Sequence, residues 1–211
     1  MSERRHERTP QEAFWAGEFG TAYSDRNTGD AMLASNLRLF GEALRTAGPV
    51  ASCLEFGANI GMNLRALRLL YPAMTARAVE INAEAAHRLA EVVGPSNVRA
   101  QSLFEYAEPD RFDLVLAKGL LIHVNPELLP AAYDRIHASS ARLILVCEYY
   151  NPSPVAVPYR GHADRLFKRD FAGEMLDRYT DLTLRDYGFV YRRDPAFPQD
   201  DLTWFLLEKK A

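Results

Sequence analysis

The stretch CLEFGANIGMN, from Cys53 to Asn63, decides which fold the sequence predicts. It begins as a short apolar strand and ends in a helical pattern, and the turn between them holds Gly57 and Gly61. Glycines in such a turn let the backbone approach a ligand closely, and the first N–H groups of the helix add donors beside it. Glu80 ends the next apolar run about 20 residues further on, where an acid can accept hydrogen bonds from both hydroxyls of a ribose. The segment therefore predicts a nucleoside-binding turn between a strand and a helix.

Short apolar runs alternate with helical periods through most of the chain. Strands are predicted at residues 50–56, 76–81, 97–103, 111–116 and 142–149, and helices at 30–47, 63–70, 83–93 and 126–138. Strands that are apolar on both faces and alternate with helices are typical of a parallel sheet covered on both sides. The chain ends with a helix at 171–179 and strands at 182–191 and 202–209. We therefore predict an α/β fold, a doubly wound (Rossmann-like) sheet of seven strands, mostly parallel with a reversed last strand, with helices on both faces.

Composition excludes several classes of protein. The chain has 211 residues, 48% of them apolar, which suits one full-sized α/β domain. With 25 Lys and Arg against 28 Asp and Glu, the net charge is −3, which argues against a protein held on nucleic acid mainly by phosphate contacts. No apolar run approaches the length of a membrane span, and the charged first residues do not form a secretory signal. Cys53 and Cys147 lie in apolar runs and are predicted to be buried free thiols, so we expect a soluble, cytoplasmic protein.

The turn and its acids resemble a known motif. The pattern E-x-G-x-N-x-G, followed by the second acid, looks like motif I and its partner in the class I S-adenosylmethionine-dependent methyltransferases, which have a central glycine where this chain has Asn59. Glu55 would repel the pyrophosphate of a nicotinamide dinucleotide but can pair with the ammonium of S-adenosylmethionine. A tight turn without a ligand is the remaining alternative. The resemblance implies S-adenosylmethionine as cofactor, S-adenosylhomocysteine as product, and cofactor contacts from Trp15, Tyr23, Glu55, Gly57, Asn59, Gly61, Glu80, Ile81, Ser102, Leu103 and Lys118.

Two longer segments carry a narrower resemblance. FWAGEFGTAYSDRN, from Phe14 to Asn27, and the stretch from Glu148 to Tyr179 look like the methyltransferases associated with pseudaminic acid biosynthesis, and the likeness extends to Lys209. It implies an aromatic cap segment at residues 1–30 and a methyltransferase domain at 31–211, with a substrate lid at about 151–170. It also implies methyl transfer to O or N of an anionic small molecule, such as a pseudaminic-acid-type sugar precursor or a nucleotide sugar.

The segments expected on the acceptor side supply two candidate bases and a basic run. His123 is the first candidate for a general base, because a neutral imidazole can take a proton near pH 7, although it could equally cap or pack the next helix. Glu148 is the rival base. The basic run after Pro158 offers groups for anion recognition, led by its arginines, although such runs are usually solvated faces. The predicted acceptor contacts are Tyr149, Tyr150, Tyr159, Arg160, His162 and Arg165.

Two other classes of function stay open. A non-catalytic cofactor-binding or scaffold protein of the same fold is one, because Asn59 departs from the family's turn. A protein or RNA methyltransferase is the other, although Ala117-Lys118-Gly119-Leu120 stands where an N-P-P-Y-type tetrapeptide would mark amino-group methylation of bases or glutamine. No metal is expected, since no pair of His, Cys or acids has ligand spacing in the expected pocket. We expect neither a nucleic acid nor a membrane as partner, and a homodimer is left open.

Overall fold

A computed structural model describes residues 6–210 of the chain. Residues 1–5 and Ala211 lie outside the described residues. The first five belong to the predicted cap segment, and part of the prediction about a secretory signal rests on them. No helix within the described range is long and apolar enough to cross a membrane.

Three helices precede the sheet. They are α1 (Pro10–Ala16), α2 (Glu18–Arg26) and α3 (Asp30–Ala43). Thr9 starts α1 with a capping box: its hydroxyl accepts from the Glu12 N–H, and the Glu12 carboxylate accepts from the Thr9 N–H. The helix predicted at 30–47 begins where expected, as α3, and ends four residues early.

Nine strands follow within residues 6–210, seven of them in one sheet. The chain contains β1 (Ser52–Phe56), α4 (Met62–Leu70), β2 (Thr75–Glu80), α5 (Ala83–Val93), β3 (Val98–Ala100), β4 (Phe112–Lys118), α6 (Leu129–Ser139), β5 (Ser140–Glu148), β6 (Val155–Ala156), β7 (Phe167–Lys168), α7 (Phe171–Arg178), β8 (Leu182–Val190) and β9 (Leu202–Lys209). The large sheet has the order β3-β2-β1-β4-β5-β9-β8, and β6 and β7 form a separate antiparallel pair.

The direction of the strands confirms the predicted fold class. Strands β1 to β5 pair in parallel, whereas β9 pairs antiparallel to both β5 and β8. The last strand is thus the reversed one. Its first residues lie at the same edge of the sheet as the carboxyl ends of the parallel strands, and Thr203 stands opposite Glu148. This edge is where ligands bind in open α/β sheets.

Alternating side chains of the central strands enter two separate cores. In β1, Cys53 packs with α3, α4 and α5 on one face of the sheet, while Leu54 packs with α6 and α7 on the other. The same alternation appears in β4 at Leu114 and Val115. Both faces are buried, so apolar residues occupy consecutive positions in the sequence of these strands instead of alternating with polar residues. Cys53 and Cys147 are buried free thiols, as predicted.

The third strand is shorter than the sequence predicts. The run at 97–103 contributes only Val98–Ala100 to the sheet, because Ser102 caps a 3₁₀ turn at Leu103–Glu105. The Ser102 hydroxyl accepts from the Phe104 N–H, and the Glu105 side chain accepts from the Ser102 N–H. This capping box competes with further strand pairing and turns the chain toward the ligand edge.

Candidate active site

A cavity of about 500 Å³ opens at the carboxyl ends of the parallel strands. Its size is that of a site for a small molecule or cofactor. The cap helices α1 and α2 form one side, and the loops after β1, β2, β3 and β4 form the floor. Ten of the predicted site residues line it, namely Trp15, Tyr23, Gly57, Asn59, Glu80, Ile81, Ser102, Leu103, Lys118 and His123.

The turn after β1 has an unusual backbone. Gly57, Asn59 and Gly61 all have positive φ, at 71°, 49° and 82°. Both glycines are favoured by their conformation, and a Cβ would in addition have to displace the Leu120 side chain, 2.9 Å away at Gly57, or the Leu89 side chain, 2.8 Å away at Gly61. Asn59 stands where the motif described above has a glycine, and asparagine tolerates the left-handed region better than most other side chains.

Glu80 is held at the end of β2 by backbone donors. One of its carboxylate oxygens accepts from the Asn59 N–H at 2.7 Å and the other from the Asn82 N–H at 2.7 Å. Burial raises the pKa of Glu80, while these hydrogen bonds and one from the Ile81 N–H oppose the rise. Each oxygen keeps a lone pair for a further donor. Glu80 therefore presents an oriented carboxylate to the cavity, as a ribose diol requires.

A second acid from the cap helix reaches the same part of the cavity. Ser102, one of the predicted cofactor contacts, donates through its hydroxyl to Glu12, which also lines the cavity. Burial raises the pKa of Glu12, but hydrogen bonds from Ser102, Thr9 and His6 outweigh it and leave the pKa lowered. Sequence reasoning missed Glu12 because its local signal is that of a capping box.

Two asparagines attach the cap to the cofactor turn. Asn82 caps α5 through Oδ1, and its Nδ2 donates to the carbonyls of Trp15 and Gly17 at 3.2 and 3.1 Å. Ser24 in α2 donates to Oδ1 of Asn59 at 2.6 Å. The cap thus contacts the loops after the neighbouring strands β1 and β2, and its position is coupled to the conformation of the turn.

His123 lies in a group of aromatic rings beside the cavity. Its ring centroid is 4.4 Å from that of Trp15 and 5.4 Å from that of Tyr159. Nδ1 lies 2.6 Å from the carbonyl oxygen of Arg165, and because a carbonyl can only accept, Nδ1 carries the proton. Burial lowers the pKa of His123 to about 4, partly opposed by this hydrogen bond. The ring is neutral near pH 7, with Nε2 as an acceptor.

Glu148 and Glu55 are buried and are not among the residues that line the cavity. Oε2 of each has no hydrogen-bond partner among residues 6–210, and the predicted roles of both stay predictions. Oε1 of Glu148 accepts from the N–H groups of Leu120 and Leu121 at 2.9 and 2.8 Å, so this carboxyl fixes the loop after β4. Glu55 is fully buried and accepts from Asn63 at 2.6 Å. Burial raises the pKa of each to about 8. Gly61 likewise does not line the cavity.

The basic run contacts the protein itself, which corrects its predicted placement at the acceptor. Arg165 pairs with Asp164 at 2.5 Å and lies 5.5 Å from the ring centroid of Phe14. His162 packs edge-on to Phe14, and Arg160 lies over Tyr159. None of the six predicted acceptor contacts lines the cavity wall formed by the described residues; the other three are Tyr149, Tyr150 and Tyr159. Tyr150 is 43% exposed and contacts Phe205.

The far side of the cavity is built by residues that the sequence did not single out. They come from α3 and from the connection between β8 and β9, and they include Ser35, Asn36, Arg192, Gln199 and Asp200. Nothing in the local pattern RRDPAFPQD signals a ligand site. The antiparallel course of β9 brings that connection to the ligand edge.

Solved structures with the same fold are methyltransferases. The chain is similar to the 1,6-didemethyltoxoflavin-N1-methyltransferase of Burkholderia thailandensis, with bound 1,6-didemethyltoxoflavin and S-adenosylhomocysteine, at 22% identity and a TM-score of 0.71, covering 99% of this chain and 94% of that one. It is also similar to the magnesium protoporphyrin IX methyltransferase of Synechocystis PCC 6803 with bound S-adenosylmethionine, at 12% identity and a TM-score of 0.69, covering 97% and 100%.

A third match is the N-methyltransferase NodS of Bradyrhizobium japonicum WM9 in complex with S-adenosylhomocysteine, at 14% identity and a TM-score of 0.65, covering 90% and 98%. No protein-family model matches the chain. No curated protein matches it. At these identities the structural matches establish the fold, which agrees with the predicted class.

Proposed function

We propose that the protein is an S-adenosylmethionine-dependent methyltransferase that acts on O or N of a small molecule. The observation that carries the proposal is the Glu80 carboxylate, oriented by two backbone N–H groups at the edge of a cavity beside the turn with positive φ. A carboxylate in this place suits the two hydroxyls of a ribose. The solved structures of the same fold hold this cofactor or its product, which supports the choice of cofactor.

The residues of the cavity fit the parts of this cofactor. Glu80 would hold the ribose, and Ser102 with Leu103 would lie at the adenine. The rings of Trp15 and Tyr23, whose centroids are 5.2 Å apart, offer aromatic faces that favour a positively charged sulfur. The cofactor supplies an electrophilic methyl group. The chain's own task is then to align an acceptor atom with that group and to exclude water.

His123 is suited to take the proton of the acceptor. Its Nδ1–H is committed to the Arg165 carbonyl, which leaves the Nε2 lone pair as the proton acceptor. Because burial keeps the imidazole neutral, this acceptor is present throughout the neutral pH range. Glu148 fixes the loop after β4, which carries His123, because its carboxylate accepts from the N–H groups of Leu120 and Leu121. We assign it a positioning role.

An anionic sugar is the acceptor that the narrower resemblance suggests. Two cationic side chains, Lys118 and Arg192, line the cavity. Arg192 pairs with Asp201 at 3.4 Å, which leaves Lys118 as the better candidate for a carboxylate or phosphate. A pseudaminic-acid-type sugar precursor or a nucleotide sugar would carry such a group. Both cysteines are buried free thiols, which suits an enzyme of a reducing compartment such as the cytoplasm.

The test is a methyl-transfer assay with radiolabelled S-adenosylmethionine and a panel of sialic acids, nucleotide sugars and simple amines. The proposal expects label in at least one acceptor, and loss of that transfer in a Glu80→Ala variant. Binding of the cofactor without transfer to any acceptor would favour the non-catalytic alternative. Absence of cofactor binding would overturn the assignment altogether.

A further inference from the structure

The cavity extends well beyond the part that a nucleoside would occupy. Leu202, the first residue of β9, lines it, as does Glu80 at the end of β2. In the sheet order β2-β1-β4-β5-β9 these two ends are four strand spacings apart, or about 19 Å at the usual spacing between strands. The half of the cavity beside β9 is therefore available for a second molecule. We call it the acceptor half and define it by Asn36, Gln199, Asp200 and Leu202.

Asn36 is the most informative residue of the acceptor half. Its side chain is buried on α3, and its Oδ1 accepts from Nε2 of Gln199 at 3.0 Å. That hydrogen bond fixes the orientation of the amide, so Nδ2 carries the free donors. Nδ2 has no partner among residues 6–210. A buried N–H donor without a partner costs about 1–3 kcal/mol, which a ligand oxygen would recover.

Asp200 supplies the opposite kind of group on the same wall. Its carboxylate lies close enough to the Tyr149 hydroxyl to raise the pKa of that tyrosine, together with burial. It acts in the same direction on Tyr23, whose pKa burial raises to about 12. On the cavity wall itself, the Asp200 carboxylate can accept from O–H or N–H groups and repels anions.

We propose that the acceptor half binds a polyhydroxylated or acylamino-substituted sugar edge, with Asn36 donating to a carbonyl or hydroxyl oxygen and Asp200 accepting from a hydroxyl or amide N–H of the same ligand. The inference rests on the proposed function and deepens it. Leu202 offers an apolar wall for the C–H face of such a ring.

The charges of the cavity also orient the ligand. Asp200 disfavours a carboxylate or phosphate at the β9 end, so any anionic group of the acceptor must lie toward Lys118, at the end of β4. The acceptor half thus contacts the uncharged edge of the ligand. This separates sugar-type acceptors from simple anions, which could satisfy Lys118 but would leave the Asn36 amide unpaired.

The experiment uses the full chain saturated with S-adenosylhomocysteine, after binding of that product has been measured for every variant. The probes are N-acetylglucosamine, N-acetylneuraminic acid and UDP-N-acetylglucosamine, titrated by calorimetry and by saturation-transfer NMR. The variants are Asn36→Leu and Asp200→Asn. The matched control is Asp177→Asn, because Asp177 is an exposed acid on α7 that does not line the cavity.

The inference expects that at least one probe binds and that each of the two variants weakens it at least tenfold. Binding of S-adenosylhomocysteine should stay within threefold of the unmodified protein in all three variants, and Asp177→Asn should leave probe binding within twofold. If no probe binds, or if probe binding is the same in every variant, the inference is overturned. If Asn36→Leu weakens binding of S-adenosylhomocysteine instead, the amide belongs to the cofactor half. Failure of the unmodified protein to bind S-adenosylhomocysteine would overturn the proposed function itself. Failure of the inference and failure of the proposed function therefore give different results.

Discussion

Ser24 of the second cap helix donates a 2.6 Å hydrogen bond to Oδ1 of Asn59, the residue with positive φ in the turn after β1. The bond explains why an asparagine can replace glycine there. Its side chain tolerates the left-handed conformation and also links the turn to the cap. One substitution in the motif thus serves both the local backbone and the contact between two parts of the site.

The turn should accept glycine and reject a β-branched residue. Asn59→Gly keeps the φ of 49° without strain and loses only the Ser24 bond, so we expect affinity for S-adenosylhomocysteine to stay within about threefold. Asn59→Val must leave the left-handed region, at a cost of roughly 1–2 kcal/mol or more, and should weaken binding at least tenfold. The affinity of each variant for S-adenosylhomocysteine is measured by calorimetry. Equal binding by the two variants would mean that the left-handed turn does not matter for the ligand.

The contact between the cap helices should be sensitive to one methyl group. A Cβ at Gly20 would lie 1.9 Å from the carbonyl oxygen of Trp15, so Gly20→Ala must displace α2 from α1. We expect at least a tenfold loss of cofactor affinity with the far-UV circular dichroism of the fold retained. Gly41→Ala is the control, because that position lies within α3 with open space around it. It should stabilise the protein by about 0.5–1 kcal/mol. Unchanged binding in Gly20→Ala would disprove the role of the cap.

His123 should make the free energy of unfolding fall in mild acid. Its pKa is about 4 in the folded protein and about 6.5 in the unfolded chain. Below pH 6.5 only the unfolded state takes up the proton, so the stability that the neutral ring contributes is lost as the pH falls toward 4. Between pH 7 and pH 5 this amounts to about 2 kcal/mol.

The check is urea unfolding at both pH values, for the unmodified protein and for His123→Gln. The difference between the two proteins isolates His123 from the buried acids. The same low pKa predicts that the acid limb of kcat/KM falls below pH 5 in the enzyme. A limb near pH 6.5, absent from His123→Gln, would show a solvated histidine and contradict the assigned burial.

Glu148 should behave as a positioning residue with an unusual pH response. Glu148→Gln keeps an oxygen for the N–H groups of Leu120 and Leu121, whereas Glu148→Leu leaves both unpaired at a cost of about 1–3 kcal/mol each. With a folded pKa of about 8, the carboxyl contributes stability at low pH that is lost as the pH rises from about 4.5 through 8. The unfolding free energy of Glu148→Gln relative to the unmodified protein should therefore rise between pH 6 and pH 9. Loss of methyl transfer in Glu148→Gln with an intact fold would restore this residue as a base.

Much of the fold could be predicted because its strands are buried on both faces and its turns carry glycine. The acceptor half could not be predicted. Asn36 lies in the middle of an ordinary amphipathic helix, and Gln199 and Asp200 lie in a proline-rich connection. Their proximity depends on the reversal of β9 beside β5, which no local spacing encodes.

The basic run shows the opposite error. Five potentially cationic groups between Arg160 and Arg169 suggested anion recognition, yet Arg165 pairs with Asp164, and Arg169 pairs with Glu174 at 2.7 Å. Charge density along the sequence does not reveal which partners the fold brings to each group. Ion pairs of this kind satisfy the charges without a ligand.

The central claim is that Glu80 presents a carboxylate to the ribose of S-adenosylmethionine. The most direct test is calorimetric titration of S-adenosylhomocysteine into the unmodified protein, into Glu80→Gln and into Glu84→Gln, an exposed acid in the first turn of α5. Loss of a hydrogen-bonded charge of this kind costs about 1.5–3 kcal/mol, so Glu80→Gln should bind at least tenfold more weakly, with its far-UV circular dichroism unchanged, and Glu84→Gln should bind normally. Equal affinity in all three proteins would contradict the account.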